Sequence, residues 1–323
     1  MCPASGSDGD STGPGERLRT ALHRAKSWLG ARVAGLRAHV AHAREHLRRV
    51  RAPDGPSSRK AVLRSLGSDG PQPQQPAVGE TCDRPRTDDS GLPWRTFRWY
   101  GGWGGHDYWD TESGTERTPI VFVHGNGGDA CNFDDIARDC LENGYRGDEL
   151  WGITFGTFTP THAEMSAQLD DFVRHVRAET GAESVSIVAH SLGVTGTRYW
   201  LHKRERYDWL GTFVGMGGAN DGTCGCPGCE DASDNTFTPE NAARACRSVA
   251  RQCRDVEGHP LAVLSDTDPT PGDIEYVMIR GRFDPIYWCD RTSPYLDGAE
   301  NVALSTTHMG LLGKSETVRA YVG

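Results

Sequence analysis

The feature that most constrains this chain is a rhythm in its second half. Short runs that are apolar at consecutive positions alternate with stretches of helical spacing. The runs are "PIVFVHG" (119–125), "ELWGITF" (149–155), "VSIVAH" (185–190), "LGTFVGMGG" (210–218), "IEYVMIRG" (274–281) and "NVALSTT" (301–307). A strand with one buried face alternates apolar and polar residues, whereas one covered on both faces is apolar throughout. Between the runs lie "CNFDDIARDCLENGY", which stops at Gly144, "HAEMSAQLDDFVRHVRAETG", which stops at Gly181, and "VTGTRYWLHKRER"; a short helix from Ser315 closes the chain. The pattern predicts an α/β domain, a mostly parallel sheet covered by helices on both faces.

The rhythm breaks between Asn220 and Gly272, where five of the ten cysteines fall within "CGCPGCEDASDNTFTPENAARACRSVARQC". This reads as an insertion at about 222–270 on the ligand side of the sheet, with a short helix around Pro239–Arg254. The first 90 residues differ again. Residues 1–16 are a low-complexity tail, and residues 51–90 a Pro-rich linker. Between them, Leu18, Leu22, Ala25, Leu29, Val33, Leu36, Val40, Ala43 and Leu47 mark one long amphipathic helix with a basic polar face. The expected organisation is thus an appendage over 1–90 and a catalytic domain over 91–323. Residues 1–90 hold 15 Lys+Arg against 10 Asp+Glu, and the remainder 20 against 34, so the net −9 divides into +5 and −14. An acidic body argues against nucleic acid as a partner. The basic helix, at residues 17–50, is suited either to peripheral contact with an anionic membrane or to packing on protein. No stretch reaches the roughly 18 apolar residues of a membrane span. The cysteine content favours an extracellular or cell-surface location, although no standard signal peptide is visible.

Chemistry concentrates where the apolar runs end, because an α/β sheet gathers its reactive groups at the carboxyl ends of its strands. Ser191 follows "VSIVAH" directly and opens a helical stretch. A strand that turns into a helix around one residue needs small neighbours two positions before and after it, here Ala189 and Gly193. The competing reading is a plain N-cap serine. A nucleophilic serine requires a base and an acid beyond later strands, in the order Ser, acid, His. Asp284 follows "IEYVMIRGRF" and His308 follows "NVALSTT", in that order. Asp290 is the substitute acid, with Asp266 and Asp268 more remote; His259 lies in the insertion without a strand before it. His190 should point away from the serine and serve packing or hydrogen bonding in the turn. The tetrahedral intermediate needs two donors. The Leu192 N–H at the start of the helix is one, and the Asn126 N–H in the loop His124-Gly125-Asn126-Gly127-Gly128 is the other. That loop carries neither GxGxxG nor GxxxxGK[ST], so a dinucleotide reading is weak.

Together "PIVFVHGNGGDACNFDDIARDCLENGY", "ELWGITF", "VSIVAHSLG", "VGMGGAND", "GRFDPIYW", "LDGAENV" and "THMGLL" resemble the class 2, Bacillus-type lipases among the α/β-hydrolases. A more distant likeness is to extracellular polyhydroxybutyrate depolymerases. The resemblance spans about 119–323, interrupted at the insertion. It implies Ser191 as nucleophile, Asp284 as acid, His308 as base, and Asn126 and Leu192 as oxyanion donors, with His124, Gly125, Gly127, Ala189, His190 and Gly193 in support. It further implies ester hydrolysis through an acyl-enzyme without a metal or organic cofactor. The substrate would be a small-molecule or lipid ester, or a polyester surface; oligomeric state is left open. A catalytically inactive binding protein is the non-enzymatic rival, one expected to lack a member of the triad. In the insertion, disulfides are the favoured reading over a Cys₄ metal site, because C-x-C-x-x-C lacks a second C-x-x-C at zinc spacing. The segment "WRTFRWYGGWGGHDYW" is expected to form a close-packed turn, its aromatics either core or an exposed grip.

Overall fold

The computed structural model describes residues 84–97, 99–234 and 239–322, with the side chains of 239–242 left out. The tail, the amphipathic helix at 17–50 and most of the expected linker lie outside the described residues. All six apolar runs are strands: β2 (Ile120–Val123), β3 (Leu150–Thr154), β4 (Val185–His190), β5 (Leu210–Met216), β6 (Glu275–Gly281) and β7 (Glu300–Leu304). With β1 (Gly101–Gly104) they form one seven-stranded sheet in the order β1-β3-β2-β4-β5-β6-β7. Every pairing is parallel except β1 with β3. β4 lies at the centre, Ala189 facing Val123 of β2 on one side and Gly215 of β5 on the other.

Two cores explain why the strands are apolar at consecutive positions. Val121, Val123, Ile187, Ala189, Phe213 and Met278 face one core. It is completed by α3 (His162–Thr180) and α4 (Leu192–Arg204), the helices after β3 and β4. Ile120, Phe122, Val188, Val214, Val277 and Ile279 face the other, against α2 (Asp134–Glu142) and the C-terminal helix α7 (Ser315–Val322). This is the α/β-hydrolase fold. Local signals mark the helix ends: Thr161 and Glu164 form a capping box before α3, and Gly181 ends that helix at φ 70°.

The Trp/Gly segment differs from its expected turn. It forms strand β1 and a single helical turn, α1 (His106–Trp109). Glycine is a poor strand former, yet here the antiparallel pairing demands it: a Cβ on Gly102 would stand 2.1 Å from the Gly152 carbonyl oxygen. Trp94, Tyr100 and Trp103 are core, while Phe97 and Trp99 are exposed.

The insertion joins β5 to β6 and contains α5 (Pro239–Ser248) and α6 (Pro260–Ser265). It is framed by disulfides Cys224–Cys289, Cys226–Cys246 and Cys229–Cys253. Cys131 is also disulfide-bonded, and buried Cys140 is the free cysteine among the described residues. Burial pushes the Cys140 thiol up to about 12. Among the described residues no helix is long and apolar enough to cross a membrane, and no cluster of His, Cys, Asp and Glu could hold a metal ion.

Candidate active site

Ser191 sits where β4 hands over to α4, at φ 56° and ψ −124°. Positive φ is unusual for a side chain with a Cβ and stores strain. The serine makes no side-chain cap hydrogen bond, so it is not an N-cap in the ordinary sense. Its N–H donates to the Met216 carbonyl at 2.8 Å, which ties the turn to β5. The small neighbours have a measurable reason. A Cβ on Gly193 would meet the His124 carbonyl oxygen at 2.5 Å and that of Val123 at 2.7 Å.

Three side chains from three loops meet at this edge. Ser191 Oγ lies 2.9 Å from His308 Nε2, and His308 Nδ1 lies 2.6 Å from Asp284 Oδ2. A carboxylate only accepts, so Nδ1 carries the proton and Nε2 is free to accept from the serine hydroxyl. The Asp284 side chain is buried, and its Oδ1 accepts the Ile286 N–H at 2.9 Å. The alternatives are elsewhere. Asp290 accepts from Thr292 and pairs with Arg251 at 2.6 Å. Asp266 caps the end of α6, and Asp268 accepts the Thr270 N–H. His259 caps the start of α6, accepting the Leu261 N–H, and its Nε2 donates to the Arg247 carbonyl at 3.0 Å.

The glycine loop after β2 passes directly against the serine. A Cβ on Gly125 would stand 2.6 Å from the Ser191 Cβ, so only glycine admits this approach. Among the described residues, the N–H groups of Asn126 and Leu192 have no protein acceptor. The Asn126 Oδ1 accepts from the Thr159 hydroxyl at 2.7 Å, and the Gly127 N–H donates to the Phe158 carbonyl at 2.8 Å. His124 accepts the Phe155 N–H on Nε2 at 3.0 Å and donates from Nδ1 to the Gly125 carbonyl at 2.7 Å. His190 donates from Nε2 to the His308 carbonyl at 3.1 Å, and the two rings lie 4.7 Å apart between centroids. The His124 and His190 rings are neutral. Burial pulls His124 down to about 3, aided by the nearby Arg86 charge, and pulls His190 to about 3, aided by His308.

Residues 117–251 match the family model described as lipase (class 2). The chain resembles the class 2 lipases. The matched stretch contains the glycine loop and Ser191 and ends before Asp284 and His308. Similar solved structures include the Bacillus licheniformis lipase BlEst2 in mature form, at 17% identity, 65% of this chain, 93% of that chain and TM-score 0.49. Aspergillus fumigatus lipase B gives 15% identity, 61% and 49% coverage and TM-score 0.46. A putative aryl esterase from Burkholderia cenocepacia gives 16%, 64%, 91% and 0.41. The class 2 lipase match supports an ester hydrolase.

Other residues of this lipase-like site gave no sequence signal. Arg86, half-buried, donates from Nε to the Phe155 carbonyl at 3.0 Å and from an Nη to the Gly128 carbonyl at 2.8 Å. Its guanidinium lies 4.3 Å from the Phe158 ring centroid, and burial lowers it to about 10, still protonated near neutrality. Tyr287 is buried three residues after Asp284 and donates to the Gly217 carbonyl at 2.6 Å, which anchors the acid loop to the end of β5. Neither an arginine in a Pro-rich stretch nor a tyrosine in a loop announces such a partner. Around them Phe283 (67% exposed), Ile286 and Trp288 (72%) stand in solvent.

Proposed function

We propose that this protein hydrolyses carboxylic esters through a Ser191–His308–Asp284 triad and an acyl-enzyme. The observation that carries the reading is the unbroken chain from the Ser191 hydroxyl through His308 to buried Asp284, at 2.9 Å and 2.6 Å. His308 takes the hydroxyl proton as Ser191 attacks the ester carbonyl, and Asp284 stabilises the resulting imidazolium. The Asn126 and Leu192 N–H groups receive the developing oxyanion. His308 then protonates the leaving alcohol, and water, deprotonated by the same histidine, releases the acid. The strained turn and close-set glycine loop support this assignment, because both hold donors and nucleophile in place before substrate arrives.

A triacylglycerol lipase or carboxylesterase is the reading favoured by the lipase-like segment. Phe283, Ile286 and Trp288 around the acid loop favour a water-insoluble ester, and on that ground a polyester depolymerase is the second reading. Ser191→Ala is expected to lower ester hydrolysis by about 10⁴-fold or more and to abolish labelling by a serine-directed phosphonate. Labelling of the wild-type chain at another serine would overturn the assignment. Rates on p-nitrophenyl butyrate, emulsified long-chain triglyceride and amorphous polyhydroxybutyrate then separate esterase, lipase and depolymerase.

A further inference from the structure

The described residues of the insertion are tied to both flanks of the serine. Topology explains the reach. Asp284 follows β6, and Asn126 follows β2, on opposite sides of β4 in the sheet order. The insertion leaves after β5 and returns at β6, yet it extends past β4 to the loop after β3. At one end, Cys224–Cys289 fastens it five residues beyond Asp284, and Arg251 bridges Asp290 of the acid loop and Asp221 of the insertion. At the other end, Asp234 and Thr159 form a two-bond antiparallel bridge, at 3.1 Å and 3.2 Å. Thr159 then reaches the oxyanion loop with its hydroxyl, 2.7 Å from Asn126 Oδ1, while neighbouring Phe158 holds the Gly127 N–H. A third tie runs to the start of α3, where Asp231 accepts the His162 N–H at 3.1 Å.

We propose that the disulfide-framed insertion is a brace that sets the acid loop and the oxyanion loop relative to one another, with Thr159 as the positioning residue at its far end. The proposal rests on the ester-hydrolase reading. Asn126 lies in the glycine loop beyond β2, whose backbone is held by the Gly127 N–H on Phe158 and by Arg86 on Gly128. The Thr159 hydroxyl is the contact that grips Asn126 itself, so the aim of its N–H depends on Thr159 as well as on the loop backbone. An oxyanion donor acts only when held where the charge develops, and a small displacement costs rate more than binding. The brace therefore acts on kcat and leaves KM for a short soluble ester largely unchanged.

The experiment uses the full chain with p-nitrophenyl butyrate, at a temperature where circular dichroism shows each variant folded. Thr159→Val, which keeps the backbone bridge and removes the hydroxyl, is expected to lower kcat about tenfold with KM within about twofold, below the loss from deleting an oxyanion donor itself. Thr159→Ser is expected to restore at least half of kcat. Cys224→Ser/Cys289→Ser is expected to lower kcat similarly, and the combined variant to lose less than the product of the separate losses, since the brace acts as one unit. Should the cysteine variant not fold, the Thr159 pair still decides. Wild-type kcat in Thr159→Val, or a loss confined to KM, overturns the brace. Ser191→Ala separates the two failures: hydrolysis that survives it overturns the ester-hydrolase reading and the brace together, whereas an inactive Ser191→Ala beside a fully active Thr159→Val overturns the brace alone.

Discussion

The serine turn and the cysteine-rich insertion lie at the same sheet edge and are built by different means. The turn is set by the sheet: Ala189 is hydrogen-bonded into β4 between β2 and β5, and Gly193 and Gly125 allow two backbones to close around Ser191. Its order needs no covalent link. Among its described residues the insertion has two short α-helices, a 3₁₀ turn and isolated bridges in place of a ladder. Cys226, Ala250 and Cys253 make up its small separate core, and its shape is held by disulfides and by the ion pairs of Asp221 with Arg251 and Arg254. Where apolar burial is plentiful the backbone can be strained for function; where it is sparse, cross-links replace it.

The comparison breaks first at the acid. Asp284→Asn keeps the shape but supplies an amide where His308 Nδ1–H needs a carboxylate, so hydrolysis is expected to fall by about 10⁴-fold. Asp290→Asn, which removes the charge paired with Arg251 of the insertion and keeps an oxygen for Thr292, is expected to cost no more than about tenfold. Equal losses in steady-state rates would mean that the two loops are not separable parts. A smaller effect tests the cross-links. Cys226→Ser/Cys246→Ser opens a loop with sequence separation 20. It should cost about 3 kcal/mol of stability, read as a lowered thermal midpoint. A midpoint equal to wild type would show that the insertion holds its shape without that bridge.

The turn has a test of its own in pH. His124 and His190 titrate near 6.5 in the unfolded chain and are held down at about 3 in the folded one, by burial first. As pH falls from 6.5 towards 3, the unfolded chain binds protons that the folded chain refuses, so stability is lost with acid, by up to about 1.4 kcal/mol per pH unit for each ring. His190→Gln preserves a donor for the His308 carbonyl and removes one of these protons. Its stability between pH 6 and 4, measured by urea unfolding, should fall less steeply than that of wild type; an unchanged slope would place the missing proton elsewhere.

Much of this was legible in order and spacing. Runs such as "IVFV" and "VSIVAH" announce doubly buried strands because both faces of the sheet are covered, and the succession Ser191, Asp284, His308 follows from groups that each trail a strand. β1 was not legible, because "GGWG" has neither apolar continuity nor strand propensity. Its reason for being glycine lies in Gly152, fifty positions away.

By itself, then, the sequence determined the parallel sheet, the serine turn and the three residues that meet there, since each depends on local periodicity or on position after a strand. Tertiary structure alone decided which cysteines pair, that Arg86 supports the glycine loop, that Tyr287 anchors the acid loop, and that Thr159 links the insertion to Asn126. These are single contacts between segments distant along the chain. A contact of that kind is specified by where the fold brings two backbones together, and it leaves no period in either segment to read.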